Sequence, residues 1–194
     1  MGNASRALTV AEDSLRRAQA FGGPSTLSLA HFAVGFAYLD VDPTRAVASF
    51  EEALRFSDLG ASNIVRDRSM HMLALVAWRD GDTTSAARHL GQALSEAFAM
   101  GDYATCGFMV DLAVPILGDC ERWHTALALD TVLTDGTLPA PIVSNQGVAE
   151  ARKRTVAAAR STLGDVPVDP GDVSRDRDAI VRYAIAELEI LAER

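Results

Sequence analysis

The side chains of this sequence best suited to binding a transition metal are four histidines and two cysteines. His31 and His71 are separated by 40 positions, and no third ligand accompanies them. Cys120 and His124 form a partial zinc pattern with Cys106, but a fourth ligand and a C-x-x-C pair are missing. The sequence therefore predicts no metal site and no cofactor.

Motifs for nucleophilic catalysis and for phosphate binding are also missing from the sequence. It contains no G-x-S-x-G, no H-E-x-x-H and no G-x-x-x-x-G-K-[ST], and its single lysine, Lys153, falls in the helical pattern "ARKRT". Glu51 and Glu52 are adjacent on a predicted helix and point in different directions, as on a solvated face. We therefore expect no catalytic activity from this chain.

Charge and hydropathy exclude further classes of function. The net charge of −8 leaves no broad basic face for phosphate contacts, so direct binding of nucleic acid is not expected. No apolar run is long enough to cross a bilayer, and the N-terminus has no signal-peptide core. Two cysteines do not make a disulfide framework, which indicates a reducing, cytoplasmic location.

An internal repeat sets the positions of the chemically distinctive residues. Residues 31–54, "HFAVGFAYLDVDPTRAVASFEEAL", align without gaps with residues 71–94, "HMLALVAWRDGDTTSAARHLGQAL", and eight of the 24 positions are identical. Tyr38 is matched by Trp78, and Phe50 by Leu90. A fixed period of this size is typical of stacked helical repeats.

Turn residues between apolar periodic segments predict about nine helices and no strand. The expected helix breaks lie near 22–24, 40–42, 59–61, 80–82, 100–102 and 118–121. Residues 1–135 are expected to form repeat pairs, and residues 136–194 a loop and two further helices, all within one domain, 1–194. Gly164 is expected to end the first of these two helices, and Ser174 to cap the second.

The stretch "GDTTSAARHLGQAL" resembles the core of a tetratricopeptide repeat. The matching residues are Gly81, Asp82, Ala86, Leu90 and Ala93 in this copy, and Asp42, Ala46, Phe50 and Ala53 in the copy before it. The resemblance implies an all-α, tetratricopeptide-like α-solenoid of antiparallel pairs with a right-handed superhelix. It also implies that the small and large apolar residues of both copies are buried between helices.

Over most of its length the sequence resembles the C-terminal helical-repeat region of actinobacterial multidomain signalling ATPases. The segments "DPTRAVASFEEAL", "GDTTSAARHLGQAL", "ARSTLG" and "DAIVRYAIAELE" occur in the same order as in these cyclase or LuxR-type transcriptional regulators. The resemblance implies a bacterial, cytoplasmic protein of signal transduction and transcription regulation. The catalytic motifs of such regulators are missing here, so we expect a non-catalytic repeat domain for protein–protein interaction or effector sensing.

In tetratricopeptide arrays the first helix of each pair lines a concave groove. By this resemblance, the candidate groove residues are His31, Tyr38, Arg68, His71, Trp78 and Arg79. Aromatic and arginine side chains are favoured at binding surfaces, so a peptide, a protein domain or a small anionic effector would suit the groove, with histidines that titrate near pH ~6.5. Two alternatives stay open: Tyr38 and Trp78 fill gaps between helices, or the chain is a structural oligomerisation arm that forms a homodimer.

Overall fold

A computed structural model describes residues 2–60, 63–141, 145–164 and 176–194. These residues form nine α-helices and no strand, which confirms the predicted all-α fold class. The helices are α1 (Gly2–Phe21), α2 (Pro24–Tyr38), α3 (Pro43–Gly60), α4 (Asn63–Arg79), α5 (Thr83–Ala99), α6 (Tyr103–Asp119), α7 (Trp123–Thr134), α8 (Gln146–Leu163) and α9 (Arg177–Ala192). The predicted helix breaks are confirmed apart from the one near 59–61, where α3 continues to Gly60 and residues 61–62 lie outside the described residues.

The chain divides into two compact units, Met1–Val76 and Ala77–Arg194. In the first unit α2 packs against α1 and α3. Gly35 allows a close approach, because a Cβ atom at this position would lie 2.7 Å from the ring of Phe50. The buried Ser28 hydroxyl donates to the carbonyl oxygen of Ala53 at 2.9 Å. Small residues therefore bring α2 and α3 together.

The repeat residues expected between helices are buried as predicted. None of them has exposed surface: Ala46, Phe50, Ala53, Ala86, Leu90 and Ala93. The first three lie on α3, which packs against α2, and the last three lie on α5, which packs against α6 and α9. The burial of these positions is thus confirmed in both copies of the repeat.

The second unit contains helices α5 to α9. Neighbouring helices pack in sequence from α5 to α7, and α8 packs against both α6 and α7. The last helix, α9, packs mainly against α5 and also contacts α6 and α7. An ion pair between Arg122, ahead of α7, and the buried Glu187 of α9 joins this helix to the rest of the unit.

Three turns in this unit have the same backbone hydrogen bonds at intervals of 20 residues. The N–H groups of Gly81, Gly101 and Glu121 each bond the carbonyl three residues earlier, and the following N–H groups bond the carbonyl five residues earlier. The φ angles of the three residues are 80°, 71° and 57°, in the left-handed region that glycine adopts most readily. Asp82 and Asp102 follow the glycines and cap α5 and α6 with their carboxylates.

The sequence predicts the residue that ends α8 and the residue that caps α9, and only the first of these predictions is confirmed. Gly164 ends α8 with a φ of 73°, as expected. The expectation that Ser174 caps α9 is wrong, because Asp176 is the N-cap residue and its carboxylate accepts from the backbone N–H of Asp178 at 3.1 Å. Ser174 itself lies outside the described residues.

Candidate functional site

Two of the predicted groove residues contact neighbouring helices of the first unit. The His31 ring stacks on Phe56, with centroids 5.5 Å apart, and its burial lowers the pKa of His31 despite the nearby Glu52 carboxylate. The Tyr38 hydroxyl donates to Glu12 Oε1 at 2.5 Å, and this hydrogen bond raises the pKa of Tyr38. The Arg45 guanidinium covers the same tyrosine ring at 4.1 Å. The tyrosine is therefore held between α1 and α3.

The other four predicted residues lie along α4. His71 is only 5% exposed, and burial together with Arg68 lowers the pKa of His71 to about 4. Arg68 and Arg79 are exposed. Trp78 is half-buried, and its Nε1–H donates to Asp119 Oδ2 at 2.7 Å. The histidine therefore stays neutral near pH ~6.5.

The side chains of Tyr38 and His71 are buried, so little of either is exposed to a partner, and the alternative that Tyr38 fills a gap between helices stays open. Of the predicted set, only His31, Arg68, Trp78 and Arg79 have substantial exposed surface. Trp78 and Arg79 belong to the second unit, and the other residues belong to the first. Whether the six positions line one groove therefore stays a prediction.

The described residues contain neither a cluster of metal ligands nor a helix that could span a membrane. No three His, Cys, Asp or Glu side chains there come together as a metal ion would require. Cys106 is fully buried, and Cys120 is partly exposed. None of the described helices combines the length and the apolar character that crossing a bilayer demands.

The second unit contains a cleft of about 500 Å³ bounded by α6, α7 and α8. This volume lies in the range of small-molecule sites. Only a narrow stripe of α8 is buried, and it consists of Val148, Ala151, Thr155 and Ala159. Residues beside this stripe form one wall of the cleft. The Asn145 side chain caps this helix by accepting from the N–H of Gly147 at 2.9 Å.

The base of the cleft is a charged triad contributed by three helices. Arg152 of α8 donates through Nη1 to Asp111 of α6 at 2.9 Å, and through Nε to Asp130 of α7 at 2.6 Å. Burial acts against the charged form of Arg152, but the hydrogen bonds to Asp130 and Asp111 raise the pKa of this guanidinium. Because a guanidinium is planar and always charged, it fixes both carboxylates in position at the base.

Two further cations stand at the rim of the cleft. Lys153 and Arg160 line it and are exposed, and the Lys153 ammonium pairs with Glu150 at 3.0 Å. Small apolar side chains form the rest of the lining: Ala140, Pro141, Ala149, Val156 and Ala157. Helix α8 carries four basic residues and one acidic residue, in a chain with a net charge of −8. It is therefore a local positive region on an acidic protein.

The described lining of this cleft suits the binding of a polar ligand. It offers ion pairs, hydrogen-bond acceptors and a small apolar surface, and none of the described residues that line it is a serine, cysteine or histidine. Sequence reasoning missed the cleft, because it treated the "ARKRT" segment only as part of a helix. A cluster of basic residues on one helix of an acidic chain was the signal that could have indicated it.

Comparison of the chain with family models, with curated proteins and with solved structures gives no match. The resemblance to tetratricopeptide repeats and to signalling ATPases therefore depends on the residues of this sequence alone.

Proposed function

We propose that this chain is a non-catalytic binding module, a tetratricopeptide-like helical-repeat domain of a bacterial signal-transduction or transcription regulator. The 40-residue sequence repeat, the identical turns and the buried repeat residues support the repeat architecture. The packing of α9 on α5 is a departure from a simple series of pairs. The sequence composition further supports a cytoplasmic location for this module.

The cleft of the second unit is the proposed ligand site. The observation that carries this proposal is the Asp111–Arg152–Asp130 triad at the base of an open cleft, whose other lining residues are two exposed cations and small apolar side chains. A side-chain network of this kind is rigid, and rigid polar groups fix the orientation of a ligand at low entropic cost.

A cleft-filling variant with a matched control tests the site. Ala157 lines the cleft, whereas the next residue, Ala158, is equally exposed on α8 but does not line it. Ala157→Trp is expected to abolish ligand-induced NMR shifts at the cleft in a screen of small charged and neutral compounds, and Ala158→Trp to leave them in place. If no compound shifts cleft resonances of the unaltered chain, or if the two variants behave alike, the cleft is not the site.

A second function, the structural oligomerisation arm, is favoured by a different observation in the first unit. An apolar groove of about 610 Å³ lies between α1 and α2, and its lining includes Val10, Phe32 and Phe36. Phe36 is 60% exposed, which is unusual for a large aromatic side chain. If the groove joins two copies, sedimentation equilibrium will show a dimer that Phe36→Glu converts to a monomer. A chain that is monomeric at all concentrations rejects this function.

A further inference from the structure

We infer that the ligand of this cleft is an acidic peptide segment of a protein partner, held by ion pairs with Lys153 and Arg160. This inference rests on the proposed function of the cleft and adds the chemistry of its ligand. It follows from how charge is distributed between the rim and the base.

The two rim cations are too far apart for one small anion. Lys153 and Arg160 are seven residues apart on α8, which places them on the same face and roughly 10 Å apart along the helix axis. A single phosphate or carboxylate group spans only a few ångströms and would pair with one of them. A chain of residues with several carboxylates can pair with both.

The base of the cleft favours a peptide over other polyanions. Two carboxylates, from Asp111 and Asp130, face one guanidinium there, so the base has an excess of negative charge. Asp111 is buried, and Asp130, with 16% of its side chain exposed, is the acceptor that a ligand can reach. A peptide brings backbone N–H donors for such a surface together with acidic side chains for the rim. A nucleic acid strand brings a phosphate at every nucleotide, so it places negative charge against the carboxylates of the base as well as beside the rim cations.

Between the rim cations the wall is small and apolar. Val156 and Ala157 lie on α8 between Lys153 and Arg160 and line the cleft. This surface leaves room for the backbone or a small side chain of a peptide between its two acidic residues. The cleft therefore matches a segment in which acidic residues flank small apolar ones.

The test uses a fluorescently labelled hexaglutamate peptide as the probe and measures its anisotropy with the full chain at low ionic strength, where ion pairs are least screened. The cleft variant is Lys153→Glu with Arg160→Glu. Its charge-matched control is Arg68→Glu with Arg79→Glu, which changes two exposed residues of the sequence-predicted groove. Circular dichroism and thermal melting verify that both double variants are folded.

We expect the cleft variant to weaken hexaglutamate binding by about tenfold or more, because each charge reversal replaces an attraction with a repulsion. We expect the control variant to change hexaglutamate binding less than twofold. Hexalysine and a DNA duplex of similar charge are expected not to bind. Loss of binding in the control variant alone would overturn the inference in favour of the α4 arginines, and tighter binding of DNA would overturn it in favour of a nucleic acid.

The failures of the two proposals are distinguishable. If glutarate, a small dicarboxylate, or neutral compounds shift cleft resonances while hexaglutamate does not bind, the cleft is a site but its ligand is not an acidic peptide. If no compound shifts these resonances and Ala157→Trp has no effect on hexaglutamate binding, the proposed function itself is wrong.

Discussion

Glu121 is the place where one substitution should stabilise this protein. It occupies the turn position that Gly81 and Gly101 hold in the two preceding turns, with the same hydrogen bonds and a φ of 57°. The left-handed conformation costs a residue with a Cβ atom about 1–2 kcal/mol. Glycine removes this cost but loses about 0.4–1 kcal/mol through the greater entropy of its unfolded chain. Glu121→Gly should therefore raise the free energy of unfolding by about 0.5–1 kcal/mol.

The measurement is urea denaturation followed by circular dichroism, and three variants serve as controls. Glu121 is exposed, so Glu121→Ala, which keeps the backbone cost, should change stability by less than about 0.5 kcal/mol. Gly81→Ala and Gly101→Ala should destabilise by about 0.5–1 kcal/mol, because no atom beyond the adjacent residues lies within 4 Å of the added methyl group and only the φ cost applies. Equal stability of Glu121→Gly and Glu121→Ala would refute the conformational explanation.

Three other changes have defined outcomes. Ala86→Leu should destabilise by on the order of 1–3 kcal/mol in the same urea assay, because Ala86 has no exposed surface; no measurable change would mean that α5 can shift without cost. Arg152→Gln should cost about 3 kcal/mol, since it leaves the buried Asp111 without its cation, and a value below about 1 kcal/mol would contradict the structural role of the triad. The lowered pKa of His71 means that the unfolded chain binds a proton between pH ~6.5 and about 4 while the folded chain does not. Stability should therefore fall by up to about 3 kcal/mol as the pH decreases through this window, and His71→Leu should remove that part of the decrease.

The helices could be predicted from sequence because their boundaries are set locally. Gly81 and Gly101 follow helix ends in left-handed backbone conformations, and Asp82 and Asp102 begin helices through side-chain caps. Each of these effects acts within a few residues. The break near 118–121 was predicted although its turn residue, Glu121, is not glycine. The N-cap of α9 was misplaced because serine and aspartate are both good caps, and several stand close together before that helix.

The candidate site could not be predicted in the same way, because it depends on which helices meet. Asp111, Asp130 and Arg152 are 19 and 22 residues apart along the chain, and no local pattern connects them. Tyr38 shows the same dependence on packing, because its residue type alone suits a binding surface. Its hydroxyl instead finds a partner in Glu12, a contact that depends on how α1 packs. Residue type alone therefore does not distinguish a partly polar core position from an exposed contact position.

The packing of α9 on α5 has a consequence for the order in which the protein folds during synthesis. The two helices are roughly 90 residues apart, so their contact is among the most distant in the second unit and forms against a large loop-closure entropy. A ribosome that has released α5 to α8 has not yet supplied the side chains of Ile180, Ala184 and Leu188, which have no exposed surface in the folded unit. The nascent second unit should therefore stay sensitive to protease until α9 emerges from the ribosome. Protease resistance in chains stalled before residue 177 would show that α5 packs against another helix instead.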